Sequence, residues 1–158
     1  MKMFKLGTIV TDSVSGTRGM LTHVMCAMNA SLQYVYQPSA LHPKTLQPVS
    51  RVLLNPARVE GGEEIEVEIP LHLLGTQAED LATGFQGTIV ELVMHINGCI
   101  HVEIKPSGTN PETGSTIEAH EFDLRRLKGD AIEPLEGEAL EQSRKNKPSP
   151  EPFKNLGK

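Results

Sequence analysis

The feature that most constrains the fold of this chain is an internal repeat. Residues 5–61 align with residues 73–129 at a constant offset of 68 positions and without a gap, and 13 of the 57 aligned positions are identical. A repeat of this size indicates two copies of one small structural unit. Many of the identical residues are types that set turns, so the copies share a backbone path more than a surface.

Each copy has the residue pattern of an antiparallel β unit. In the second copy, residues 88–95 and 100–104 are rich in strand-forming residues, with Asn97-Gly98 between them. A three-residue loop over 96–98, with Gly98 left-handed, places the apolar residues of both strands on one face. We therefore predict this loop rather than the two-residue turn that Asn-Gly often forms. The inward-facing residues are then Val90, Leu92, Met94, Ile100, Val102 and Ile104, and in the first copy Thr22, Val24, Cys26, Leu32, Tyr34 and Tyr36.

The number and spacing of these short strands predict an all-β fold in which each copy forms a small SH3-like barrel. A domain this small is marginally stable alone, so we expect the two copies to pack on each other. Strict alternation over residues 64–69 predicts a half-buried strand that ties them together. The expected organisation is a first β-barrel repeat over 1–61, a second over 62–129 and an extended C-terminal arm over 130–158.

The C-terminal arm is rich in proline and charge and poor in apolar residues. Its composition is compatible with a short helix over 136–145 followed by a polyproline-like stretch. A disordered tail and an arm that docks on a partner both fit this pattern. In the docked interpretation, Phe153 and Leu156 are the anchors. The partner-binding residues are then Lys147, Pro148, Pro150, Pro152, Phe153 and Leu156.

No combination of residues typical of an active site is found, so no catalytic residue and no cofactor are assigned, and we expect a protein that is not an enzyme. Asp12 and Asp80 each precede a Ser/Thr-Gly turn, where an aspartate side chain satisfies turn amides. A structural role is therefore favoured over a pair of catalytic carboxylates. The residues to which we assign structural turn roles are Asp12, Gly16, Gly19, Asp80, Gly84, Gly87, Asn97 and Gly98.

One patch has residue types that bind metals. In the predicted register His95 lies opposite Cys99 and shares the outward face with His101, and Glu91 or Glu103 would lie nearby. The first copy has Ala27, Ser31 and Gln33 at the equivalent positions, and no CxxC or HxxxH spacing occurs. A solvated polar face is thus favoured over a metal site, and no metal ligand is assigned.

The two copies differ in their formal net charge. The formal net charge is −5, which argues against a general nucleic-acid coat. It divides into +4 for residues 1–61, −8 for 62–129 and −1 for the rest. Opposite charges on two copies of one fold suit a molecule that docks between unlike surfaces or head-to-tail with its own copies, although drift after duplication explains them equally well. Nucleic-acid binding by the basic first copy is disfavoured because the exposed aromatics that stack on bases are scarce.

Cellular location is constrained by two further patterns. The sequence has no apolar stretch long enough for a transmembrane span and no signal-peptide pattern at its start, so no membrane partner is expected. The two cysteines are interpreted as free thiols in a reducing cytoplasm.

A motif in the second copy carries a family resemblance. It comprises Leu74-Gly75, Asp80, Thr83-Gly84-Phe85, Gly87, Asn97-Gly98-Cys99, Pro106 and Phe122-Asp123 with Arg126-Leu127. This motif resembles a largely uncharacterised family of small bacteriophage and prophage proteins with SH3-like barrels, which usually hold a single copy. The first copy departs from the motif at Thr17, Ala30-Ser31 and Asn55-Pro56. The resemblance implies a phage origin and a bacterial host cytoplasm, and it implies no catalysis.

These expectations together favour a virion structural protein, specifically a capsid decoration or cement protein that bridges neighbouring shell subunits. Its partner would be the major capsid protein or another virion protein, and it would act as a homo-oligomer or in many copies on a symmetric assembly, where multivalency strengthens weak contacts. A head-tail or tail component is a close alternative. A second alternative is a non-virion binding module that engages a host protein or nucleic acid.

Overall fold

The predicted all-β class is confirmed by a computed structural model that describes residues 1–29 and 31–133. Twelve strands occur in this part of the chain, with three short 3-10 turns at Pro56–Arg58, Leu71–Leu73 and Leu124–Arg126. The strands are β1 (Lys2–Phe4), β2 (Ile9–Asp12), β3 (Arg18–Ala27), β4 (Leu32–Pro38), β5 (Val52–Leu54), β6 (Val59–Glu60), β7 (Glu64–Glu66), β8 (Gln77–Asp80), β9 (Gln86–His95), β10 (Ile100–Lys105), β11 (His120–Asp123) and β12 (Leu127–Lys128).

Ten of these strands form a single antiparallel sheet, and the expected closure into two barrels is not found. In the first copy the strand order is β6-β2-β3-β4-β5, and in the second it is β12-β8-β9-β10-β11. The long strands β3 and β9 then pair with each other. Strands β2 and β8 pair only with the first part of β3 and β9. The rest of that edge of each long strand has backbone groups that its own copy leaves unpaired. The other copy satisfies those groups, so the sheet continues across the copies instead of closing within each one.

The two copies have the same register at each shared pairing. Ile9 pairs with Met20, as Gln77 pairs with Thr88. The β-bulge is repeated as well. The residue that it leaves out of the pairing in β3 is equivalent to the residue that it leaves out in β9. The 3-10 turns at Pro56–Arg58 and Leu124–Arg126 are also 68 positions apart. The gap-free alignment therefore corresponds to a gap-free duplication of the backbone.

The joint between the copies has pseudo-two-fold symmetry. Met25 pairs with Val93, its own equivalent in the other copy, and His23 pairs with His95. Two further hydrogen bonds repeat across the joint: Met28 N donates to Val90 O at 3.1 Å, and Ile96 N donates to Thr22 O at 3.0 Å. A joint that matches equivalent patches has the form of an isologous dimer interface. The prediction that the copies pack on each other is confirmed.

One hydrophobic core serves both copies. Val24 and Tyr34 of the first copy belong to the same buried cluster as Leu92 and Val102 of the second. Burying these side chains together removes far more apolar surface from water than either copy removes alone. The core thus lies on one face of the sheet and crosses the joint.

The hairpin register of the second copy is confirmed at its first two predicted pairs. Met94 pairs with Ile100, Leu92 pairs with Val102, and Gly98 has a φ of +82°. The third predicted pair is wrong, because the bulge makes Ile104 pair with Ile89 instead of Val90. One extra residue in a strand places the side chains beyond it on the opposite face of the sheet from the one expected.

The same correction applies to the first copy. Leu21 is fully buried and pairs with Tyr36, while Thr22, predicted to face inward, is only half-buried. The predicted strand over 64–69 is shorter than expected: β7 covers Glu64–Glu66 and pairs with β1 in a separate two-stranded sheet. Within the described residues, no helix is long and apolar enough to cross a membrane.

Candidate functional site

A line of four polar side chains crosses the joint on the outer face of the sheet. We call it the histidine row, and it consists of His23, His95, His101 and Glu121. Each residue comes from a different strand, in the spatial order β3, β9, β10 and β11. Because alternate residues of a strand face opposite sides, the core residues Val24 and Val102 leave their neighbours in the row on the outer face.

The row is held together by close contacts. The rings of His23 and His95 have centroids 4.3 Å apart, and those of His95 and His101 are also 4.3 Å apart. His101 Nδ1 hydrogen-bonds to Glu121 Oε1, and His95 Nε2 lies 3.9 Å from the same oxygen. His23 Nδ1 contacts the Thr22 hydroxyl at 2.8 Å. The two imidazoles and one carboxylate of the second copy therefore converge on one point.

The surroundings of His23 and His95 favour the neutral form of both imidazoles. Partial burial lowers the pKa of His95, and the neighbouring His101 lowers it further. Partial burial also lowers the pKa of His23, with His95 as the next cause. Neighbouring imidazoles repel one another when protonated, and a half-buried site solvates the charge poorly. His23 and His95 are thus uncharged at neutral pH, which is the form that binds metal ions.

One atom of the row has no hydrogen-bond partner among the described residues. His95 Nε2 is buried from solvent but makes no hydrogen bond there. Buried polar atoms in native proteins are nearly always paired, so this nitrogen is available to a ligand, a water or an ion. It points toward Glu121, the residue to which His101 is already bonded.

The sequence identified part of this row and missed the rest. His95 and His101 are brought together as predicted, whereas Cys99 instead accepts a hydrogen bond from Arg125 Nη2 at 3.6 Å. Glu121 takes the place expected for Glu91 or Glu103. His23 was missed as well, because it reaches the row only through pairing between the copies. Glu121 was missed because β11 pairs with β10 across a loop of more than a dozen residues, which the sequence does not reveal.

The buried carboxylates of Asp12 and Asp80 form equivalent ion pairs with partly exposed arginines. Arg58 holds Asp12 with two hydrogen bonds, from Nε at 3.0 Å and from Nη2 at 2.7 Å. Arg126 holds Asp80 in the same way, at 3.0 and 2.8 Å. Such bidentate arginine–carboxylate pairs are strong and directional. The arginines come from the 3-10 turns, so each pair fastens the end of a copy to its first turn.

The turn hydroxyls complete these sites. Ser15 Oγ donates to Asp12 at 2.6 Å, and Thr83 Oγ1 donates to Asp80 at 2.6 Å. The pKa of Asp12 is well below its usual range, chiefly because of Arg58 and then Ser15. The pKa of Asp80 is lowered chiefly by Thr83, with Arg126 as a further cause. Carboxylates held this firmly in the ionised form are poor acids and bases near neutral pH.

The glycines with assigned turn roles fall into two groups. Gly16 and Gly84 lie in the turns after the aspartates, with φ values of +70° and +74° that favour glycine. Gly19 and Gly87 lie in strands β3 and β9 instead. A Cβ on Gly87 would lie 2.4 Å from Lys105 O, and one on Gly19 would lie 2.3 Å from Gln37 O. Close approach of the neighbouring strand, rather than a turn, therefore requires these two glycines.

Asn97 caps the hairpin loop. Its Oδ1 accepts a hydrogen bond from Cys99 N at 3.0 Å, and Asn29 Oδ1 accepts one from Ser31 N at the same distance. The assigned partner-binding residues of the C-terminal arm lie outside the described residues: Lys147, Pro148, Pro150, Pro152, Phe153 and Leu156.

The second copy also has an apolar groove of about 740 Å³. Its floor is made by Leu73 and Leu127, and its rim includes Leu81, Leu124 and Ile132. At the positions equivalent to three of these leucines, the first copy has Lys5, Ser13 and Pro56. The groove is thus a property of one copy and not of the shared backbone.

Neither the turns nor the groove assembles a nucleophile with a base. The arrangement of the histidine row suits ligand binding, and the groove suits contact with another surface. No family model, curated protein or solved structure matches this chain.

Proposed function

We propose that this chain is a structural protein of a bacteriophage virion, most simply a decoration or cement protein that bridges neighbouring capsid subunits. The observation that carries the proposal is the opposite charge of two equivalent loops. These loops are residues 39–51, which connect β4 to β5, and residues 107–119, which connect β10 to β11.

The two loops have the same backbone and different side chains. Leu41 bridges to Pro48 in the first loop, as Thr109 bridges to Thr116 in the second. Exposed Lys44 in the first loop is replaced by exposed Glu112 at the equivalent position. Counting all their charged side chains, the first loop has two basic and no acidic residues, and the second has two acidic and no basic residues.

The loops lie at opposite ends of the run of paired strands that passes through both copies. The strand order β5-β4-β3-β9-β10-β11 runs through both copies, and each loop joins the last two strands at one end. A rigid sheet with a basic loop at one end and an acidic loop at the other suits a position between two unlike surfaces. Repeated over a symmetric shell, such contacts are strengthened by multivalency even when each one is weak.

The groove of the second copy adds an apolar contact surface next to Ile132, close to where the C-terminal arm begins. In this proposal the arm reaches a neighbouring subunit. The phage origin rests on the resemblance of the second copy's motif to single-copy phage proteins.

The experiment is mass spectrometry and cryo-EM of purified particles from the phage that encodes the chain. We expect on the order of hundreds of copies per particle, as on a symmetric shell, whereas about a dozen would place the chain at a tail ring. Absence from particles would overturn the proposal, and recovery of the chain on a host protein or nucleic acid would then favour a non-virion binding module.

A charge variant tests the loops themselves. Lys44→Glu combined with Arg51→Glu should release the chain from particles at lower salt than the unmodified protein, because exposed charge pairs are screened. Lys2→Glu, an exposed charge change on β1, is the matched control and should leave release unchanged. Equal release by both variants would show that the basic loop is not the contact.

A further inference from the structure

We propose that His95, His101 and Glu121 form a binding site for one divalent transition-metal ion, with Zn²⁺ as the ion that the donor set fits best. This inference goes beyond the proposed virion function and does not depend on it. It rests on the geometry of three side chains and on one orphaned atom.

The donor atoms lie near the spacing of a metal site, and small side-chain movements would complete it. One ligand atom from each of the three residues lies within 4.8 Å of the others. Two atoms bound to zinc at about 2.0–2.1 Å lie about 3.4 Å apart at a tetrahedral angle. The 3.9 Å separation of His95 Nε2 and Glu121 Oε1 therefore has to shrink by about half an ångström. Side-chain torsions of an exposed glutamate provide that movement.

The cluster has one hydrogen bond that a metal would replace and one nitrogen that a metal would pair. His101 and Glu121 share a hydrogen bond, and a cation would take the place of the shared proton. His95 Nε2 is buried and lacks a hydrogen-bond partner among the described residues, so binding a metal would satisfy it. Two imidazoles and one carboxylate are a donor set that zinc accepts.

The strands fix the cluster in place. The three residues lie on β9, β10 and β11, and His101 pairs with Val93 on one side and with Asp123 on the other. Sites built on paired strands hold their ligands more firmly than sites built on loops. Three protein ligands leave a fourth position of tetrahedral zinc open to the outer face, where a water or a donor atom of a partner completes the coordination.

The first copy has no equivalent site. The positions that correspond to the three ligands hold Ala27, Gln33 and Leu53, none of which has a suitable donor. We therefore expect one ion per chain. The difference also shows that the shared backbone does not by itself require donors at these positions.

The test is titration of the metal-free full-length protein with Zn²⁺ by calorimetry, together with the visible absorption spectrum of the Co²⁺ form. We expect saturation at one ion per chain and a cobalt spectrum of tetrahedral or five-coordinate type. His101→Ala and Glu121→Gln should each weaken binding at least about 100-fold, because losing a ligand costs more than losing a partner that only orients one.

Matched controls separate the cluster from general histidine or carboxylate binding. His42→Ala removes an exposed histidine in the loop of the first copy, and Glu103→Gln removes the carboxylate paired with Glu121 in the strand register. Both variants should bind Zn²⁺ as tightly as the unmodified protein. Circular dichroism on each variant verifies that the sheet is intact.

The proposal is overturned if saturation at one ion is absent, or if folded His101→Ala and Glu121→Gln proteins both retain full affinity. It is equally overturned if His42→Ala weakens binding as much as His101→Ala does. Since the assay measures metal alone, its failure leaves the particle experiment unaffected.

Discussion

The two copies in this chain have the same backbone and unlike outer surfaces. Register, bulge and 3-10 turns repeat at a constant offset, as do the Asp–Arg pairs at Asp12 and Asp80. The histidine row and the apolar groove belong to the second copy, apart from His23, and the equivalent loops have opposite charge. A few buried and turn-forming residues are therefore sufficient to preserve the shared backbone path, and the remaining positions are free to diverge.

The joint shows how two such units become one molecule. Met25 pairs with Val93, so each copy presents the same strand edge to the other. A single-copy protein with this backbone could use the same edge to form a symmetric dimer. Joining the copies in one chain removes the need for identical halves. One half can then have the groove and the cluster of histidine and glutamate side chains, while the other half remains basic.

The largest expected effect comes from breaking the shared core. Leu92 is buried on β9 at the joint, and Leu92→Ala should lower the free energy of unfolding by about 2–5 kcal/mol. Because one buried cluster contains residues of both copies, we expect a single unfolding transition for the whole molecule. Urea denaturation followed by circular dichroism measures both quantities.

Leu81→Ala is the matched control, since Leu81 is 63% exposed and its removal should change stability by about 0.5 kcal/mol or less. Two separate transitions in the Leu92→Ala protein, one for each copy, would contradict a shared core. In that case the copies would behave as independent domains joined by the β3–β9 pairing.

A second effect would come from making the copies alike at the proposed metal site. Ala27→His, Gln33→His and Leu53→Glu together place the same donors in the register of the first copy. If the register alone aligns the ligands, Zn²⁺ binding should rise from one ion to two. The new site should bind Zn²⁺ about 100-fold more tightly than the first copy of the unmodified protein does, which corresponds to about 2.8 kcal/mol.

The variant with Ala27→His and Gln33→His only is the control, because it lacks the carboxylate at position 53, the equivalent of Glu121, and should bind the second ion more weakly than the triple variant. A folded triple variant that still binds a single ion would show that the row depends on its neighbours as well as on register. The nearest difference is His23, whose equivalent in the other copy is Glu91.

Much of the backbone is predictable from this sequence, because the repeat and the alternation of apolar residues are local signals. They gave the all-β class and the hairpin loop at Gly98, and the small size of each copy predicted that the copies pack on each other. The bulge has no local signal that distinguishes it, so Thr22 and Val90 were placed on the wrong face. The open sheet was missed for a related reason, since pairing between β3 and β9 depends on which strand edges are left free.

The site was less predictable than the fold. His95 and His101 lie near one turn and were recognised from the hairpin register. Glu121 follows a loop of more than a dozen residues, and His23 comes from the other copy, so both depend on long-range pairing. Arg58 and Arg126 were visible as identical residues, but their partners Asp12 and Asp80 were predicted to bond only to turn amides.

The smallest expected effect distinguishes the two aspartate turns. Arg58 is the main cause of the lowered pKa of Asp12, whereas the Thr83 hydroxyl is the main cause for Asp80. Thr83→Ala should therefore destabilise the protein more than Ser15→Ala at neutral pH. The difference is measured as the shift in urea midpoint between the two variants.

Acid pH provides the control for that comparison. A carboxyl whose folded pKa is lowered stabilises the native state above its unfolded pKa, near 3.8, and this contribution disappears as pH falls toward the folded pKa. Both variants have lost part of that contribution, so their midpoints should approach that of the unmodified protein as the pH decreases below 3.8. A gap between Thr83→Ala and Ser15→Ala that is constant down to the lowest pH would mean that the hydroxyls act through packing. The two turns would then differ in shape rather than in how each one holds its carboxylate.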